Sequence, residues 1–193
     1  MIEKDLIWGE TPLEDLSGLK QPFISTRQEL IAAEAKNILL AKSKYLSNLK
    51  FLYTSKFLFQ IHKYMFDQVW DWAGKKRRID LNIGVQYYKI DEELKNILDD
   101  IIYWEQHQWD AIEIIARFHH RLTKLHPFLN GNGRWSRLVV FLYAKCVHEL
   151  SMDWPEAKMV ISSGVRIKYI NTLKLADKGS YVELVQLFNK WGE

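Results

Sequence analysis

The chain has 193 residues, 48% of them hydrophobic and including 8 Trp, 9 Tyr and 9 Phe, which is apolar mass enough for one sizeable core. Its 27 Lys and Arg stand against 24 Asp and Glu, too small an excess to argue for nucleic acid or a membrane surface as partner. The longest apolar run, Leu138 to Ala144, is far short of the ~20 residues a membrane span needs, and the single Cys146 excludes an intrachain disulfide.

The opening MIEKDLIWGETPLED carries acidic residues and no apolar stretch, so it is not read as a signal peptide, and a soluble, cytoplasmic protein is expected. No repeat or low-complexity segment divides the chain, and a single domain over 1–193 with an N-terminal arm over 1–24 follows. Thr26, with Glu29 three residues on, predicts a capped helix to about Lys42 with Leu30, Ala33, Asn37 and Leu40 on one face. A second helix starts near Thr54 or Ser55, with Leu58, Ile61, His62, Met65 and Val69 on its apolar face and Gly74 at its end. The segment 78–90, RIDLNIGVQYYKI, mixes β-branched and aromatic residues around Asn82 and Gly84 and predicts a short β-hairpin flap. Helices then follow from Asp91 and from near Asp110. A fifth, over 132–150, is apolar nearly all round and predicts a central helix; two shorter ones follow over 166–176 and 180–190. The fold class is therefore all-α, a helical bundle with one small hairpin flap.

Chemistry concentrates in HPFLNGNGRWSR, residues 126–137. Pro127 removes a backbone donor and biases His126 out of the helical region, which places the histidine at a helix end. Gly131 and Gly133 let the backbone turn so that N–H groups converge where the next helix presents its positive end, an anion site. Arg134 and Arg137, three apart in the first turns of that helix, are unfavourable against its dipole unless they share an anionic ligand such as phosphate. A histidine beside such a nest is suited to take a proton from a hydroxyl that attacks phosphorus. The residues by themselves reach a phosphate site with a candidate base.

The run resembles the Fic motif, HPF-x-(D/E)-GNGR-x-x-R, matching every fixed position except the acidic one, which is Asn130. Val69 to Lys75 resembles the family's WAG segment, Asn82-Ile83-Gly84 its flap, and Arg117 to Leu122 the helix leading to the motif. The chain is similar to the Fic/DOC family of protein adenylyltransferases, and within it to the short bacterial proteins called mobile mystery protein B. The resemblance implies transfer of AMP from ATP to a hydroxyl of a target protein, on Tyr, Thr or Ser, with release of pyrophosphate. It makes His126 the general base, Gly131, Asn132 and Gly133 the anion hole, Arg134 and Arg137 the phosphate ligands, and Phe128 a core anchor. Asn82, Ile83 and Gly84 become the flap that holds the target segment by strand-like pairing.

The family's acidic residue holds Mg²⁺, and the neutral amide of Asn130 offers that hard ion less charge. Three outcomes are ordered here: Asn130 orients Mg²⁺ through water, another donor or reaction is used, or nucleotide binds without turnover. The alternatives to an adenylyltransferase are thus a degenerate Fic module that binds nucleotide or a partner as a regulator, and a Doc-like phosphotransferase. The latter fits less well because GNG and the arginine after it are intact. An antitoxin partner and an oligomer stay open. Family members are often restrained by a glutamate in (S/T)-x-x-x-E-(G/N), which makes Glu29 a minor inhibitory candidate, although a capping box explains Thr26 and Glu29 more simply. His119 and His120 lack a third ligand and read as packing and surface residues. Trp70, Trp72, Tyr87 and Tyr88 are weaker candidates for a base pocket than for core.

Overall fold

The computed structural model describes residues 16–155, 159 and 163–192. Among these the helices are α1 (Arg27–Ser47), α2 (Ser55–Phe66), α3 (Ile90–Gln106), α4 (Ala111–Leu125), α5 (Asn132–Val147), α6 (Gly164–Asp177) and α7 (Val182–Asn189). The protein is an all-α bundle, as its spacing predicts. The first fifteen residues of the expected arm lie outside the described residues; the rest of it reaches back through a bridge between Leu19 and Trp70.

Helix α1 starts at the expected capping box, with Glu29 N donating to Thr26 Oγ1 at 3.2 Å and Thr26 N to Glu29 Oε2 at 3.0 Å. Its buried face is Leu30, Glu34, Asn37 and Ala41, whereas the predicted Leu40 is 57% exposed. The face is rotated because two polar side chains on it find buried partners. Asn37 Nδ2 donates to Tyr64 O at 2.8 Å and its Oδ1 accepts from Gln68 N at 2.9 Å, which fastens α1 to α2. Helix α2 begins where Thr54 caps Phe57 N and stops at Phe66, before Gly74. The chain turns between them, and Gly74, at φ +74°, lies so close that a Cβ would stand 2.6 Å from that of Lys63.

Helix α3 gathers Asp91, Glu92 and Glu93 in its first turn, favourable against its dipole, and packs Leu94, Ile97 and Ile101 inward. Helix α4 is capped by Asp110 and ends at His126 ahead of Pro127. Helix α5 is the central one: Trp135 to Ala144 are all buried, and it touches α1, α2 and α4. Helix α7 closes the far side of α4 against α6. No helix among the described residues is long and apolar enough to cross a membrane.

The flap departs from the hairpin expected over 78–90. It has no strand pairing; it is a loop ending in a 3-10 turn, Tyr87–Lys89. Side chains take the bonds a ladder would need: the buried Arg77 donates to Ile79 O at 2.7 Å and to Val85 O, and Asp80 Oδ1 accepts from Tyr87 N at 2.8 Å. These side-chain bonds hold the loop where a hairpin would have cross-strand backbone pairs.

Candidate active site

The motif loop joins α4 to α5 at the floor of a cavity of about 890 Å³ whose walls include Glu34 of α1, Ile83 and Gly84 of the flap, and Arg137 of α5. His126 caps α4 in the left-handed conformation, φ 49° and ψ 59°, with only 6% of its surface exposed. This uncommon conformation turns the ring out of the helix line. Its Nδ1 stands 3.4 Å from Thr123 O. A carbonyl can only accept, so the ring proton belongs on Nδ1 and the lone pair on Nε2. Burial, helped by the charge of Arg77, pushes the His126 pKa down to about 4. The ring is neutral at physiological pH.

Gly131 is the N-cap of α5, also left-handed at φ 77°. A Cβ there would stand 2.6 Å from the ring of Phe66, so only glycine fits. The Gly131 N–H is taken by Asn130 Oδ1 at 2.6 Å. The next three amides, of Asn132, Gly133 and Arg134, belong to the first turn, which offers them no intrahelical acceptor, and α5 has no side-chain cap over them. They form the anion-facing end. The Asn132 side chain does not face this opening: it accepts from Phe128 N and donates to Phe128 O, both at 2.9 Å, and ties the loop shut from inside. Phe128 is fully buried and stacks on His62, ring centres 3.6 Å apart.

Three residues of this site are not apparent in the sequence reading. His62 of α2 is buried, with Nε2 3.0 Å from Asn130 O and Nδ1 accepting from Gly74 N at 3.0 Å. Its proton therefore lies on Nε2, and burial holds its pKa down to about 3. Arg77, 2% exposed, donates from Nε to His126 O at 2.7 Å and from its terminal nitrogens to Ile79 O and Val85 O, while its backbone N donates to Pro127 O at 2.9 Å, so one residue clasps both the flap and His126. Glu34 accepts from Trp70 Nε1 at 2.7 Å and from Arg134 at 2.5 Å. The histidine on the apolar face of α2 was the available signal; Glu34 shares its buried face with Asn37, and Arg77 was hidden in the charge run Lys75 to Arg78.

The other expectations sort as follows. Arg134 and Arg137 both line the cavity, with Arg137 7% exposed. Gly84 presses on His126: a Cβ built there would lie 2.7 Å from His126 Cβ. Glu29 is spent within the capping box, accepting from Ser25 N and Thr26 N, and it is Glu34 that reaches a motif arginine. Trp70 is core, Tyr87 and Tyr88 are exposed, and none of these or Trp72 lines the cavity. Both His119 and His120 are buried rather than superficial, held by Tyr169 OH at 2.7 Å, and by Tyr181 OH and Asp177, respectively.

A protein-held Mg²⁺ does not fit these residues. Asn130 brings one neutral oxygen that already accepts from Gly131 N. The cavity's acids, Glu34 and Asp177, are engaged with Arg134 and with His120 and Lys124, and the described residues hold no cluster of three or more His, Cys, Asp or Glu.

A family model described as Fic/DOC family matches residues 52–144. A protein adenylyltransferase, VbhT of Bartonella schoenbuchensis, is 30% identical over 122 residues, 58% of this chain and 26% of its own length. The protein adenylyltransferase Fic of Drosophila grimshawi is 26% identical over 111 residues, 55% of this chain and 22% of its own. The matched stretch thus spans about a quarter of these relatives. Among solved structures, the N-terminal Fic domain of a Bartonella quintana Bep effector protein with bound ADP superposes with TM-score 0.72 at 16% identity, covering 94% of this chain and 93% of that one. BepC of Bartonella tribocorum with bound AMPPNP gives 0.68 at 18%, covering 97% and 95%. At such identities these likenesses speak for the fold. The matched stretch runs from just before α2 into α5 and holds the flap and every motif residue, and over it the chain is similar to the Fic/DOC family.

Proposed function

We propose that the protein is an adenylyltransferase that moves AMP from ATP onto a hydroxyl of a target protein. The observation that carries this is a neutral, buried His126 set under the flap and beside the open amides at the start of α5. In the proposed step the target hydroxyl oxygen attacks the α-phosphorus and its proton passes to His126 Nε2. The bond from the α-phosphorus to the bridging oxygen breaks, and pyrophosphate leaves. The amides of Asn132, Gly133 and Arg134 stabilise charge on the phosphates, and Arg134 and Arg137 hold the leaving end. The flap at Asn82, Ile83 and Gly84 lays the target segment across the base by backbone pairing.

The proposed step runs through the chain's own residues; any Mg²⁺ would come held by the nucleotide's phosphates. The neutral oxygen at Asn130 favours one second reading, a module that binds nucleotide and turns it over little. Incubation with α-labelled and γ-labelled ATP, in lysate and alone, separates the readings. Only the α-label should enter protein, and His126→Ala should lower incorporation by about 10²–10⁴-fold. Label from the γ-position would indicate phosphoryl transfer, and no label from either, with nucleotide binding intact, the regulatory module.

A further inference from the structure

We infer that Glu34 is a positioning residue for Arg134, fixing its guanidinium for the phosphate chain; this rests on the nucleotide reading of the site. Glu34 lies on the buried face of α1, one hundred residues from its partner in sequence, with its side chain 7% exposed. One carboxylate oxygen accepts from Trp70 Nε1 at 2.7 Å and the other from Arg134 NH1 at 2.5 Å. Trp70 is itself packed in: it is 1% exposed, stacks on Trp72 with ring centres 5.0 Å apart, and is bridged to Leu19. One turn further along α1, Asn37 is bonded to Tyr64 O and Gln68 N, so the helix that carries the acid cannot slide. The carboxylate is therefore anchored before it meets the arginine.

On the arginine's side the second constraint is Phe66, whose ring lies under the guanidinium with 4.8 Å from Cζ to its centroid. Face and one nitrogen are thus held, and the guanidinium's remaining donors belong to the cavity that Arg134 lines. An arginine has five N–H donors, so holding one leaves a fork for phosphate oxygens. A long side chain loses much rotamer freedom on binding, and a site that has already removed it binds more tightly. The alternative is that Glu34 neutralises Arg134 and must leave before phosphate binds; the two roles predict opposite signs.

The test is isothermal titration of wild type, Glu34→Ala and Glu34→Asp with AMPPNP and with adenosine, which has no phosphates, beside α-label transfer. Positioning predicts that Glu34→Ala weakens AMPPNP about tenfold with adenosine unchanged. Glu34→Asp, which keeps the carboxylate, should recover part of the loss. In an Arg134→Ala background, Glu34→Ala should have no further effect. Tighter AMPPNP binding or faster transfer by Glu34→Ala overturns the inference in favour of restraint. Equal loss for AMPPNP and adenosine overturns it in favour of general structural support. If wild type binds AMPPNP and transfers no AMP, the enzymatic reading fails while binding still decides the role of Glu34; if it binds no AMPPNP, both fail.

Discussion

Gly84→Ala puts a single methyl between flap and base. Gly84 sits at φ +101°, where an L side chain is strained, and its Cβ would fall 2.7 Å from His126 Cβ and 3.0 Å from an Arg77 terminal nitrogen. Ordinary contact begins at 3.4–4 Å, so either the flap or His126 must retreat by about 1 Å, in addition to about 1–3 kcal/mol of backbone strain. The base cannot give easily: its carbonyl is held by Arg77 and the loop behind it by Asn132. The flap is the softer partner and should lift. A displacement of about 1 Å at a reacting geometry costs on the order of 10²-fold in rate. The three nearest atoms to a Cβ at Gly84 belong to His126, Arg77 and Leu125 and none to the first turn of α5, so nucleotide affinity should hold within about twofold, the usual scatter for sites that share no contact. The assay is incorporation of α-label into lysate protein, with AMPPNP affinity and melting temperature measured on the same preparations. Transfer within twofold of wild type at unchanged melting would refute the claim that the flap is set against the base by contact at Gly84.

Two further perturbations test other parts of the site. Asn130→Asp keeps an acceptor for Gly131 N and adds the charge that Mg²⁺ prefers, so Mg²⁺-dependent labelling should rise by about tenfold, the equivalent of roughly 1.4 kcal/mol; a Mg²⁺ titration that leaves wild type and variant alike contradicts it. His62 and His119, both pushed down to about 3 by burial, are neutral when folded, whereas the unfolded chain protonates them below its ordinary value of 6.5. The unfolded state therefore binds more protons under that pH. Stability from these groups is complete above about 6.5 and is lost as pH falls toward the folded values, on the order of 2 kcal/mol each by pH 5. Urea unfolding at pH 7.5 and 5.0 measures this; equal midpoints would refute it.

The fold was legible where it depends on local signals. Thr26 with Glu29, Thr54 and Asp110 each cap the helix start that their residue types predict, because a cap needs only neighbours three residues away. The motif was legible because its parts are adjacent in the chain. What escaped depends on partners far apart: Glu34 with Arg134, His62 with Asn130 sixty-eight residues on, and Arg77 with His126 forty-nine on. In sequence Arg77 looks like its exposed neighbour Arg78, and only the fold buries one of the two. The flap misled for a related reason. Its β-branched and aromatic residues favour extended backbone, but the segment is held by the side chain of Arg77, which donates to Ile79 O and Val85 O, rather than by strand pairing.

The same three residues explain why the site can be rigid while built on loops. Each converts a backbone group of the motif or flap, or a motif side chain, into one end of a bond whose other end is buried, in a helix or just past the WAG segment: Asn130 O to His62, His126 O to Arg77, and the Arg134 guanidinium to Glu34. A nest of amides stabilises charge only if it is aimed before the charge arrives, since reorientation during reaction would cost what the contacts return. The supports would meet this requirement with neutral or paired groups, His62 uncharged, Glu34 opposed by Arg134 and Arg77 3.6 Å from Asp80, so they hold the loop without an unpaired charge of their own. Asn130 fits the same logic. Its amide oxygen satisfies Gly131 N and leaves the mouth of the nest without a carboxylate, so under the proposed function the positive end of α5 and its two arginines, rather than a protein-held metal, would face the nucleotide's charge.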